Sequence, residues 1–205
     1  MANLTPVQHS PSNDEQSNSV QFALTKFIER WLQAHTNDQN SDALTIEYDP
    51  DWPSPCYQLS TSNEAQPKSG TAIAWQPVKQ DTQDMFERLA TALNIEIHPD
   101  IISFYSTFWS DHLSASTSDG ELTLLQVWNQ ADMERLRANL IGHAIAQQKQ
   151  KMDISFFFAL TSPDDGMLCI NNKTAQVWYE HPGKKPIRKI ANSLSEFIDS
   201  LTPVS

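Results

Sequence analysis

Two thiols, Cys56 and Cys169, and the imidazoles of His98, His112, His143 and His181 carry the intrinsic chemistry for nucleophilic or metal-assisted catalysis in this chain. Cys56 ends the run Pro53-Ser54-Pro55-Cys56, and an imidazole from His98, His112 or His143 could activate it as a thiolate. The competing reading is a buried cysteine packed beside two prolines, and the spacing does not lift the catalytic reading above it. The thiols form no CxxC pair, the histidines are too scattered for a local ligand set, and HExxH is absent. His143, next to Gly142 in a helical pattern, reads as a structural histidine packed against a sheet. The five glycines make neither GxxxxGK[ST] nor GxGxxG, and GxSxG is missing, so no phosphate cradle or nucleophile elbow is visible. The expectation is a non-enzymatic protein with no catalytic residues, no metal and no cofactor.

The carboxylates are more informative. The chain has 14 Lys plus Arg against 25 Asp plus Glu, a formal charge of −11, which is the wrong balance for phosphate-driven nucleic-acid binding. Residues 89–134 contain Glu96, Asp100, Asp111, Asp119, Glu121, Asp132 and Glu134 without one Lys or Arg. Bases concentrate later, with Lys184, Lys185, Arg188 and Lys189 in one short stretch. Carboxylates often do no more than solvate a surface. If Asp100, Asp111, Asp119 and Glu121 converge in space, however, they form an acidic face that steers a basic partner. Cytoplasmic loops of membrane proteins are such partners, because Lys and Arg accumulate there.

The elements that position these side chains follow from periodicity. Residues 1–18 are rich in Ser, Asn, Gln and Pro and are expected to form a disordered tail ahead of one domain over 19–205. Val20, Leu24, Phe27, Ile28, Trp31 and Leu32 recur at helical spacing to about His35. An acidic, proline-punctuated loop with Glu47, Asp49 and Asp51 follows, pinned by Trp52. Residues 56–60 and 71–76 read as a hairpin, and Thr82 or Asp81 as the cap of a helix carrying Met85, Phe86, Leu89 and Leu93. Pro99 suits the first position of a helix over Ile101, Ile102, Phe104, Tyr105, Phe108 and Trp109. Residues 117–120 signal a hairpin into a central strand over 122–128.

Asn129 then caps a long helix, with Asp132 at its third position and Met133, Leu136, Leu140, Ile141, Ala144 and Ile145 on one face. Residues 154–160, 167–171 and 175–181 form an antiparallel meander, and a further strand, IRKIA, returns before a last helix opened by Ser193 and Glu196. The sum is an α+β domain, mostly antiparallel sheet with packed helices. No run nears the length of a spanning helix, and the N-terminus has no apolar signal region, so a soluble chain is expected.

Several of these pieces recur in one family. PSPC (53–56), AWQP (74–77), HPDIISFYSTFW (98–109), LTLLQVW (122–128) and ANLIGH (138–143), in that order, resemble Syd, the bacterial SecY-interacting family. HPDIISFY and IANSLSEFI (190–198) are also similar to the wider SUKH fold. The resemblance runs from about residue 20 to the C-terminus and implies a SUKH-like domain. It further implies a monomer that binds SecY, the translocon channel subunit, through a concave acidic surface, and that monitors or regulates SecY assembly from the cytoplasmic side of the inner membrane. Carried over, the acids in or beside matching motifs are Glu87, Asp111, Asp119 and Asp132, with Asp100 and Glu121 as local additions. Trp52 and Trp109 are candidate aromatic anchors, weighed against core positions. Lys184, Lys185, Arg188 and Lys189 could assist peripheral attachment to anionic lipid. The alternative is a SUKH-type immunity protein that neutralises a toxin enzyme. The tail, the linker after His35 and the insert at 61–70 depart from the compact family pattern, and none of them interrupts a quoted motif.

Overall fold

The computed structural model describes residues 13–37, 44–59, 66–162 and 166–204. Residues 1–12 of the expected tail, part of the linker after His35, part of the insert and the turn at 163–165 lie outside the described residues. The fold is α+β, and the described residues form one seven-stranded antiparallel sheet, two two-stranded sheets and five helices. In chain order the elements are α1 (Asn13–Asn37), β1 (Thr45–Glu47), β2 (Ala72–Ala74), β3 (Val78–Lys79), α2 (Asp84–Leu93), α3 (Pro99–Ser106) and β4 (Phe108–Trp109). There follow β5 (Leu113–Thr117), β6 (Gly120–Leu124), α4 (Gln130–Lys149), β7 (Ser155–Thr161), β8 (Met167–Asn171), β9 (Val177–Glu180), β10 (Arg188–Ala191), α5 (Leu194–Asp199) and β11 (Thr202–Pro203). The large sheet runs β10-β9-β8-β7-β6-β5-β11.

Local signals account for most of this order. The β5–β6 hairpin closes at Thr117 and Gly120, and Gly120 takes a φ of 137° that a side chain would oppose. In β7, Ser155, Phe156, Phe158 and Ala159 are buried, so the strand is covered on both sides. Phe158 meets Phe104 of α3 and Phe197 of α5 edge-on, while Phe157 meets the ring of His143 on α4. α1 buries Val20, Leu24, Phe27, Ile28 and Trp31 against α3 and α5. β7, β8 and β9 form the expected meander, with β10 returning beside β9. Ser193 Oγ accepts the amide of Glu196 at 3.2 Å and starts α5.

Several boundaries move. α1 begins at Asn13, ahead of the expected Ser19. α2 is opened by Gln83 with no side-chain cap, so neither Thr82 nor Asp81 caps it. α3 stops at Ser106, and Phe108 and Trp109 form β4 against Val78 and Lys79, because the aromatic run packs as strand once its chain turns at Thr107. The expected strand over 122–128 ends at Leu124. Its continuation bends so that Val127 bridges Trp109 in parallel and accepts the amide of Ser110 at 2.9 Å. β2 pairs with β1, a segment that reads as loop in sequence; the expected hairpin partner contributes only a bridge, Tyr57 to Trp75. Ile145 is exposed, because Gln147 occupies the inner face instead and hydrogen-bonds Ser155. β11 was not legible; it pairs with β5, and its Pro203 is tolerated on the sheet edge.

Candidate functional site

A cleft of about 250 Å³ opens where four segments meet: β1 and the turn after it, the loop around Trp52 and Tyr57, residues 110–112 after β4, and residues 126–132 leading into α4. Its acids are Glu47, Asp49, Asp111 and Asp132, its aromatics Trp52, Tyr57 and Trp128, and among the described residues no Lys or Arg lines it.

The walls are held by backbone-directed bonds. Ser54 Oγ donates to the carbonyl of Trp128 at 2.6 Å, and Asn129 Nδ2 donates to the carbonyl of Pro53 at 2.8 Å, which ties the Trp52 loop to the start of α4. Asn129 Oδ1 accepts the amide of Asp132 at 2.9 Å while Asp132 Oδ2 accepts the amide of Trp128 at 3.0 Å, a reciprocal cap that fixes one cleft carboxylate. Asp111 Oδ1 accepts the amide of His112 at 2.7 Å, and Asp49 Oδ1 accepts that of Asp51 at 2.9 Å. Each carboxylate therefore keeps acceptor capacity for a partner. Tyr57 stands edge-on to Trp128, with centroids 5.2 Å apart, and Trp128 in turn meets Trp75 at 5.6 Å. The Arg135 guanidinium lies 3.9 Å over the Trp52 ring, showing that this face accepts a cation. Gln126 is buried in the lining, yet neither its Oε1 nor its Nε2 has a hydrogen-bond partner.

The six acids singled out from sequence do not converge on one face. Asp111 and Asp132 share the cleft. Asp119 and Glu121 are exposed at the β5–β6 hairpin, lining a separate depression, and Arg188 reaches Asp119 at 2.7 Å. Glu87 is exposed on α2 beside a larger groove shared with Glu96. Asp100 is 2% exposed, so it belongs to the interior, where its Oδ1 lies 3.8 Å from Nδ1 of His98. Trp109 is a core residue, whereas Trp52 is half-buried in the cleft wall. Glu47 and Asp49 were missed as site residues although the acidic, proline-punctuated run ahead of Cys56 was the signal for them. Lys184, Lys185, Arg188 and Lys189 are all exposed, with Lys189 donating to Asn192 at 2.9 Å.

Cys56 is fully buried behind the cleft, and burial pushes its thiol up to about 11, against which the hydrogen bond with Ser54 works only in part. A thiol in that setting is a poor nucleophile. Among the described residues, no helix is long and apolar enough to cross a membrane.

The fold is an α+β domain that carries an acidic, aromatic-walled depression. Residues 21–203 match the family model described as Syd protein (SUKH-2), and the chain belongs to the Syd family. It is 37% identical over 189 residues to Protein Syd of Pseudoalteromonas atlantica, covering 92% of this chain and 98% of that one. Protein Syd of Colwellia psychrerythraea is 39% identical over 184 residues, covering 88% and 90%, and that of Alteromonas mediterranea 35% over 178, covering 87% and 95%.

Proposed function

We propose that this chain is a non-enzymatic protein that docks on the cytoplasmic face of the translocon channel subunit SecY and monitors or regulates its assembly. The observation that carries the reading is the cleft, in which four carboxylates and three aromatic side chains are gathered with no Lys or Arg among the described lining residues. A basic loop fits such a lining twice over. Its Lys or Arg side chains meet Glu47, Asp49, Asp111 and Asp132, and its flanking apolar or cationic groups meet the faces of Trp52, Tyr57 and Trp128. Membership of the Syd family supports SecY as that partner. Asp119, Glu121 and Glu87 would act at longer range, steering rather than touching, and the exposed Lys184, Lys185 and Lys189 would favour an anionic membrane surface.

The test is retention of SecY from detergent-solubilised inner membranes at low and high salt, by wild type and by a Glu47→Gln, Asp49→Asn, Asp111→Asn variant. These substitutions keep hydrogen-bond acceptors in place and leave the cap at Asp132 intact. Wild type should retain SecY at low salt and lose it at high salt, and the variant should lose it at both. Absence of SecY from the wild-type eluate, or retention indifferent to salt and substitution, would overturn the reading.

A further inference from the structure

His143 on α4, Cys169 on β8 and Glu180 on β9 each place one ligand-type atom so that no two are more than 4.8 Å apart. The sheet register explains the meeting. Cys169 stands opposite both Phe157 and Trp178, and Glu180 follows two residues after Trp178 on the same face, the one covered by α4. The Phe157 ring packs edge-on against the imidazole with centroids 5.5 Å apart, holding His143 over the strands.

Two atoms of this cluster are buried with no hydrogen-bond partner: Nε2 of His143 and Oε1 of Glu180. The other carboxylate oxygen is fixed from behind. Glu180 Oε2 accepts from Ser155 Oγ at 3.0 Å and from Gln147 Nε2 at 3.5 Å. Gln147 also donates to Ser155 Oγ at 2.6 Å and accepts the amide of Ser155 at 3.0 Å. Orphaned donor atoms on one side and a hydrogen-bonded outer shell on the other are the pattern of a cation site. Cys169 and Glu180 are fully buried, and His143 is half-buried.

We propose that His143, Cys169 and Glu180 bind a divalent transition-metal cation of borderline softness, for which Zn²⁺ is the best match. One imidazole nitrogen, one sulfur and one carboxylate oxygen suit Zn²⁺, whereas Ca²⁺ and Mg²⁺ take oxygen ligands. Bond lengths of about 2.0–2.3 Å set tetrahedral donors about 3.5 Å apart, so closing the cluster on the ion takes shifts of about 1 Å. The charge balances: a thiolate and a carboxylate offset the two positive charges of the ion beside a neutral imidazole, so the buried site carries no net charge. Burial holds the Cys169 thiol and the Glu180 carboxyl up and the His143 imidazole down. Binding displaces the thiol proton to buffer and leaves the thiolate as ligand. This site is independent of the SecY cleft and shares no residue with it.

The experiment is a titration of the full chain with Co²⁺ under anaerobic, reducing conditions, followed by displacement with Zn²⁺, beside Cys169→Ala, His143→Gln and Glu180→Gln. Wild type should develop a near-ultraviolet thiolate-to-cobalt band and visible bands of tetrahedral intensity, and Zn²⁺ should abolish both. Cys169→Ala should lose the near-ultraviolet band, and the other two variants should bind at least about tenfold more weakly. Circular dichroism without metal checks that each variant is folded. His143→Gln, at the half-buried position, keeps the test decisive if a core variant does not fold. A wild type with no thiolate band, or variants that bind Co²⁺ as tightly as wild type, would overturn the site and assign the ion to surface carboxylates.

Discussion

Tyr105 of α3 donates its hydroxyl to the carbonyl of Phe157 in β7 at 2.8 Å, from almost complete burial. The acceptor sits beside a β-bulge between Phe157 and Ala159, where the ladder to β8 is interrupted. Burial pushes the Tyr105 hydroxyl well above its usual pKa, so it remains a donor at any working pH. The bond fastens α3, and through it α1, to the middle strand of the sheet. Tyr105→Phe keeps the ring and removes only this donor. It should destabilise the fold by about 1–2 kcal/mol, read as a lower urea midpoint with an unchanged slope.

Asn129 serves two masters, and its substitutions should separate them. The side-chain oxygen caps α4 while the side-chain nitrogen holds the Pro53 carbonyl. Asn129→Ala loses both and should cost about 2 kcal/mol; Asn129→Asp keeps the cap, loses the donor and should fall between. Thermal denaturation of the three proteins orders them, and an Asp variant as damaged as Ala would show that the cap is not what matters.

With its thiol at about 11, Cys56 has roughly one molecule in ten thousand ionised at pH 7. Iodoacetamide should therefore leave Cys56 unmodified in the native protein and label it rapidly in denaturant, as read by peptide mass spectrometry. Fast native labelling would reopen a catalytic role for this residue.

What could be read ahead of the structure was local. The Asn129 cap, the hairpin over 117–120, the apolar run of β7 and the Ser193 cap each declare themselves within a few residues, and each stands as expected. What could not be read was pairing at a distance. Thr45–Glu47 is three residues long and finds its partner in Ala72–Ala74, beyond a polar insert. The acids of the cleft come from three segments, so their nearness follows from the turn at Thr107 and the bend after Leu124, neither of which has a sequence signature. Asp100 stood at a helix start, an ordinary surface position, and was buried instead because α3 itself is interior. The His143, Cys169 and Glu180 cluster was invisible for the same reason: three elements supply one residue each.

Arg188 and Asp119 form a 2.7 Å ion pair across more than half of the chain's folded sheet order, from β10 to the β5–β6 turn. Both side chains are over half exposed, at 57% and 55%, so solvent screens the attraction. A double-mutant cycle with Arg188→Ala and Asp119→Ala should give a coupling below about 1 kcal/mol that shrinks further in salt. A larger, salt-insensitive coupling would mean that the pair holds the hairpin against β10.

The buried pair at the start of α3 makes stability depend on pH in two opposed directions. Burial raises Asp100 above 3.8, an effect that the charge of His98 only softens, and burial lowers His98 below 6.5, softened in turn by Asp100. Asp100 keeps its proton in the folded state at pH values where the unfolded chain has released it. Its contribution is thus fully present below 3.8 and is lost as pH rises through the folded value. His98 acts the other way: its contribution is present above 6.5 and is lost as pH falls through its lowered value. Asp100→Asn cannot ionise, so it removes the first dependence and leaves His98 lowered by burial without the opposing carboxylate. Urea midpoints measured between about pH 4 and pH 7 should show the variant gaining on wild type steadily as pH rises, because wild type must then keep an ionised carboxylate whose Oδ1 has no partner in the interior. A difference between variant and wild type that does not change with pH would mean that Asp100 is ionised in the folded protein throughout, with a partner that offsets its burial.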